Sequence, residues 1–185
     1  MKNERYVLTV IGKDKPGIIA HVTGLLFRFG CNLEDATMSI LEGEFAMVLI
    51  VHMPRRTRPE DLKEAFLQTQ KKWKLELFFR PFAPKGSLSD KTHQKGTVSY
   101  LISGIGRDRT GIVYQMSRLL ADKGFNITDL NSRILGRGQK ALYSLLLEVD
   151  IPKKFPLSRL EKDFKRLERK LQIEIKIRPA EALII

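Results

Sequence analysis

The chain has 185 residues, enough for one large domain or two small ones, and 43% of them are hydrophobic, ample for a buried core. Its 29% charged residues suit a soluble protein, and no apolar run approaches the roughly 20 residues that cross a bilayer, so neither a membrane span nor a membrane partner is expected. Cys31 is the sole cysteine, which excludes an internal disulfide; the short N-terminal apolar stretch meets a turn rather than a cleavage site, and the two together point to a reducing cytoplasm.

The first apolar, β-branched run, "YVLTVI" (6–11), predicts a strand. A loop follows, "IGKDKPGII" (11–19), and opens a helix whose Ile18, Val22, Leu25 and Leu26 recur at helical spacing. Gly30 stands just past that helix, where a glycine is expected. A second strand starts near Asn32 and runs to "EGE" (42–44), a hairpin signal, and "FAMVLIVHM" (45–53) returns. An amphipathic helix then carries Leu62, Phe66 and Trp73, and the last strand alternates Leu75, Leu77 and Phe79.

The same series is then written again. Gly12, Asp14, Gly17 and Ile18 recur as Gly106, Asp108, Gly111 and Ile112 at an offset of 94, as do Gly30, Asn32 and Asp35 as Gly124, Asn126 and Asp129. Extra residues around "GRGQ" (136–139) raise the offset to 98, which matches Pro54 to Pro152, Leu62 to Leu160, Phe66 to Phe164 and "LELFFRP" (75–81) to "IEIKIRP" (173–179). Leu167 and Leu171 complete the second helix stripe, and Ile173, Ile175 and Ile177 the last strand. The chain is a tandem duplication. Each half predicts β-α-β-β-α-β, so the fold class is α+β: two ferredoxin-like sandwiches in tandem. The expected domains are 1–82 and 97–185, joined by the polar linker "APKGSLSDKTHQKG" (83–96). The final "AEALII" lies outside the repeat.

The net charge of +12 is uneven. Residues 1–83 carry 13 basic and 10 acidic groups, residues 84–96 three and one, and residues 97–185 carry 17 and 10. The basic second half would attract polyanions or an acidic protein, and a solvated basic surface also serves solubility.

In each half the glycine-containing loop ends at a helix start, where backbone N–H groups lack partners and favour anions such as a carboxylate. Glycine there removes the side chain that would hold a ligand away. Asn32 and Asn126 offer both donor and acceptor, suited to the carboxylate and ammonium of an amino acid. Purely structural roles compete: Asp14 and Asp108 as helix caps, Pro16 in the first turn, the glycines in tight turns, the asparagines as left-handed turn residues.

The two stretches "GKDKPGI…FGCN" and "GRDRTGI…KGFN" closely resemble the ACT domain, a small ligand-binding regulatory module, over nearly the whole chain. The first half matches through Asp14, Pro16, Gly17, Gly30 and Asn32, with Leu33 where isoleucine is usual. The second matches through Asp108, Gly111, Gly124, Asn126 and Ile127, with Thr110 where proline is usual. The resemblance implies side-by-side domain pairing into a larger sheet. An amino acid would bind between the loop of one domain and the asparagine region of its neighbour. The expected ligand-binding residues are Gly12, Asp14, Lys15, Pro16, Gly17, Ile18 and Asn32, with Gly106, Asp108, Arg109, Thr110, Gly111, Ile112 and Asn126. A stand-alone pair of such domains looks like the glycine cleavage system transcriptional repressor group. That resemblance implies an internal pseudo-dimer, a regulatory protein partner and further association into a homodimer.

Other classes fit less well. A small phosphate-handling enzyme would use arginine in a glycine-rich loop, which Lys13, Lys15, Arg107 and Arg109 imitate, but no paired carboxylates, Ser-His-Asp set or metal-ligand spacing recurs. His21 aligns with Gln115, so no histidine site is duplicated, and Cys31 aligns with Phe125, which suggests packing rather than a nucleophile. A ferredoxin-like RNA binder would carry aromatic residues on its central strands, whereas "FAMVLIV" and "ALYSLLL" are mostly aliphatic. The reading is a non-catalytic regulator, with no cofactor, no metal and no direct nucleic-acid contact expected.

Overall fold

A computed structural model describes residues 4–82, 96–136, 138 and 141–180. The expected linker, Gly96 apart, and the C-terminal tail from residue 181 lie outside the described residues. The chain divides into two compact units, Met1–Ser87 and Leu88–Ile185.

In unit 1 the order is β1 (Glu4–Lys13), α1 (Ile18–Arg28), β2 (Asn32–Leu41), β3 (Glu44–Met53), α2 (Pro59–Trp73) and β4 (Leu75–Pro81). Unit 2 repeats it with β5 (Thr97–Arg107), α3 (Ile112–Ala121), β6 (Asn126–Leu135), β7 (Leu142–Pro152), α4 (Leu157–Leu171) and β8 (Ile173–Pro179). Each unit is a four-stranded antiparallel sheet, ordered β2-β3-β1-β4 and β6-β7-β5-β8. The duplicated β-α-β-β-α-β pattern read from the sequence is the fold.

Burial follows strand and helix periods. Tyr6, Leu8 and Val10 of β1 alternate inward, pair with Val51, Leu49 and Met47 of β3, and meet Val22, Leu25, Leu62 and Phe66 from the helices. In unit 2 Ile102, Leu145, Leu147 and Val149 meet Met116, Leu120, Leu160 and Phe164. The hairpin over "EGE" closes through Glu42 and Gly43 at φ 50° and 79°, the paired positive values of a primed turn. Beyond α1 and α3, Gly30 and Gly124 take φ 69° and 74°, stopping the helices in the left-handed region as the sequence predicts.

Two helices do not cover four strands. The edge strand β2 is exposed along its length, so its helix-side residues Met38 and Ile40 remain 42% and 50% exposed, and Leu130 and Ile134 of β6 repeat this at 44% and 59%. A bulge interrupts each edge pairing at the same place, between Leu33 and Asp35 and between Ile127 and Asp129.

Candidate functional site

Gly17 and Gly111 are the N-cap residues of α1 and α3, at φ 94° and 95°. That region costs a side-chain-bearing residue about 1–2 kcal/mol, which accounts for both glycines. The competing view that Asp14 and Asp108 cap the helices is wrong: neither helix has a side-chain cap. Asp14 sits three residues ahead of the cap, where its backbone N–H donates to the Gly43 carbonyl at 2.8 Å and ties the loop to the β2–β3 hairpin. Its exposed carboxylate has no hydrogen-bond partner among the described residues. Pro16 precedes the cap and so lies outside the first helical turn.

Gly12 and Gly106 stand where a neighbouring strand comes close. A Cβ at Gly106 would lie 2.6 Å from Ile173 Cγ2 and 2.7 Å from the Gln172 carbonyl; at Gly12 it would lie 2.7 Å from Leu75 Cδ2 and 3.1 Å from the Lys74 carbonyl. These glycines let the start of the fourth strand pass close to the first. Lys74 and Gln172, at φ 52° and 55°, make the helix-to-strand turn that creates the approach.

The loop cations are engaged. Lys15 donates from Nζ to the Trp73 carbonyl at 2.8 Å and lies 4.8 Å from the centre of the Trp73 ring. Arg109 donates to Gln172 Oε1. Both side chains meet carbonyl-bearing ends of helices, α2 and α4, where cations are favoured. Ile18 and Ile112 are 1% and 2% exposed and anchor the helices in the cores.

Beside the first loop is an open cavity of about 560 Å³. The loop from Asp14 to Gly17 forms one wall, and Ile19, Met38, Ile40 and Phe45 supply an apolar one. The N-terminal N–H groups of α1 come ahead of the first intrahelical bond from His21 to Gly17 at 2.8 Å. Ser132, Ile134 and Tyr143 occupy the matched positions of unit 2.

The asparagines are elsewhere. Asn32 and Asn126 are exposed strand residues, not left-handed turn residues, and pair with His52 and Asp150. Gly12 pairs with Phe45 at the opposite end of β3. Seven residues of strand, at about 3.4 Å each, separate these ends by about 24 Å. Within one unit, then, loop and asparagine do not share a site. Asn126 lines a separate cavity of about 380 Å³, with Tyr114, Ser117 and Ile127.

His21 was absent from the expected site yet adjoins it. Its ring stacks on Trp73 at 4.5 Å, within 3.2 Å of Thr69 Oγ1, and burial together with Arg28 and Lys72 lowers its pKa. Cys31 packs half-buried against the unit 1 core, and burial pushes its thiol pKa up, opposite to what a nucleophile needs. Among the described residues no helix is long and apolar enough to cross a membrane.

The ACT domain family model matches residues 4–80 and 99–178. A curated relative, a UPF0237 protein of Methanosarcina mazei, is 33% identical over 55 residues, 30% of this chain and 60% of that protein; the chain thus spans less than two thirds of its length. An unknown protein from Galdieria sulphuraria superposes at a TM-score of 0.78 with 23% identity, over 97% of this chain and 99% of the other. A proposed glycine cleavage system transcriptional repressor superposes at 0.66 with 17% identity over the same shares. At such identities these structures show the fold.

Proposed function

The chain belongs to the ACT domain family, with two copies in tandem, and from that premise we propose that it is a non-catalytic regulatory protein that binds a small amino acid and acts on transcription through a protein partner. The observation that carries the reading is the cavity of about 560 Å³ beside the first loop. The N–H groups at the start of α1 suit a carboxylate, and Ile19, Met38, Ile40 and Phe45 suit an aliphatic body. Gly17 borders that cavity without a side chain of its own.

The 24 Å or so between loop and asparagine bears on how the ligand is held. One amino acid cannot touch both in a single domain, so a site using both takes its loop from one ACT domain and its asparagine from another. Binding would then favour one arrangement of domains and alter the surface offered to a partner. The engaged Lys15 and Arg109 side chains argue against a phosphate-cradling loop.

Trp73 is the one tryptophan of the chain, and its ring lies 3.4 Å from where a Cβ on Gly17 would stand. It reports on the loop directly. Titration of each standard amino acid at millimolar concentration is expected to change Trp73 emission and raise the melting temperature for a narrow set of ligands. No response to any amino acid would defeat the reading.

A further inference from the structure

The furrow between the two helices differs between the domains. In domain 1 it is bridged by His21 of α1, stacked on Trp73 of α2 and within hydrogen-bond reach of Thr69. The matched residues of domain 2 are Gln115, Leu171 and Leu167, at offsets of 94 and 98. Leu171 turns into the core at 4% exposure, so no aromatic pair fills the gap. What is left between α3 and α4 is an open cavity of about 570 Å³.

Its apolar surface comes from Leu119, Leu167 and Tyr114, the last 64% exposed. Leu119 is half-buried and Leu167 8% exposed, so Tyr114 is the exposed part of a small apolar floor. The cavity lining holds three basic residues, Arg118, Lys123 and Lys170, against two acidic ones, Asp122 and Asp163. The two carboxylates of the cavity are already neutralised, Asp122 by Arg118 at 2.8 Å and Asp163 by Lys123 at 2.5 Å. Lys123 also holds the Asp163 carboxyl below its ordinary pKa. Lys170 has no ion-pair partner among the described residues, and Arg166, 82% exposed, reaches Asp163 only at 3.7 Å.

We infer that this furrow is a docking surface for an acidic protein segment. Apolar side chains of the segment would cover Tyr114, Leu119 and Leu167, and its carboxylates would meet Lys170 and Arg166. The inference rests on the regulatory reading above, whose protein partner it locates on domain 2. Nucleic acid fits less well, because a phosphate backbone gains nothing from the apolar floor.

The test is fluorescence anisotropy on the full chain with a labelled amphipathic peptide, one face leucine and the other glutamate. Its lysine-for-glutamate counterpart and a single-stranded oligonucleotide serve as competitors. The glutamate peptide should bind saturably and the lysine peptide should not. Arg166→Glu with Lys170→Glu should weaken binding about tenfold, and Tyr114→Ala should also weaken it. Lys72→Glu, at the matched position of α2, should leave it unchanged. Should the double charge reversal melt early, Arg166→Ala with Lys170→Ala carries the same expectation. Equal binding of both peptides, an equal loss in Lys72→Glu, displacement by the oligonucleotide, or no binding would each overturn the inference. An amino-acid thermal shift on the same preparation separates the two ideas: if it persists while the glutamate peptide fails to bind, the docking surface falls and the sensor reading stands.

Discussion

Replacing Gly106 by alanine should destabilise the protein more than replacing Gly12, although the two glycines are equivalent in the repeat. At Gly106 the added Cβ would press on Ile173 Cγ2 at 2.6 Å, the Gln172 carbonyl at 2.7 Å and Ile173 Cα at 2.8 Å. Two of those atoms belong to backbone and must move with the start of β8. At Gly12 the nearest atom, Leu75 Cδ2 at 2.7 Å, ends a flexible side chain, and the backbone atoms stand at 3.1 and 3.4 Å. Overpacking costs about 1–3 kcal/mol, and backbone displacement puts Gly106→Ala near the upper end, at about 3. Gly12→Ala should cost about 1, because a rotamer change of Leu75 absorbs much of the clash. For domains of this size, 1 kcal/mol moves the melting temperature by about 4–8 °C, so the expected falls are about 15 °C and about 5 °C. Differential scanning calorimetry of the full chain without ligand reads both. Equal falls, or no fall for Gly106→Ala, would refute the claim that these glycines are kept for the fourth strand's approach.

Gly17→Ala and Gly111→Ala should each lose about 1–2 kcal/mol in urea titrations, since each forces a side chain to φ near 95°. The His21 imidazole has its pKa lowered by burial, Arg28 and Lys72. The unfolded chain therefore takes up a proton first, so stability is fully present above the ordinary histidine value near 6.5 and declines as pH falls through it toward the folded value. His21→Gln, which copies Gln115, should flatten that part of the pH profile. Leu160→Ala, at a fully buried position, should cost about 2–5 kcal/mol by the same measurement. Cys31 should react slowly with a thiol reagent in the native protein and faster in urea, as its raised pKa and partial burial require.

The fold was legible because the chain states it twice. One half alone leaves "YVLTVI" or "FAMVLIV" as ambiguous apolar runs, but two copies with matching glycines fix their order. Roles inside the loop were harder to read. Asp14 and Gly17 are both good N-cap residues, and only the backbone turn at φ 94° decides between them. No local pattern announces the strand contact at Gly12, because its neighbour in space, Leu75, lies 63 positions along the chain. Lys15 on Trp73 and Arg109 on Gln172 are likewise long-range contacts that no local pattern announces. His21 carries no repeat signal, because its matched residue is Gln115. That difference marks where the helical furrows of the two domains diverge.

In the proposed function a small amino acid binds beside the glycine loops, with help from asparagines supplied by other domains. Isothermal titration with the amino acid that most raises the melting temperature tests it most directly. The parent protein should bind it saturably, and Asn32→Ala with Asn126→Ala should lose that binding while keeping its own melting temperature, since both side chains are exposed and lie outside the cores. Undiminished binding in that variant would remove the asparagines from the site.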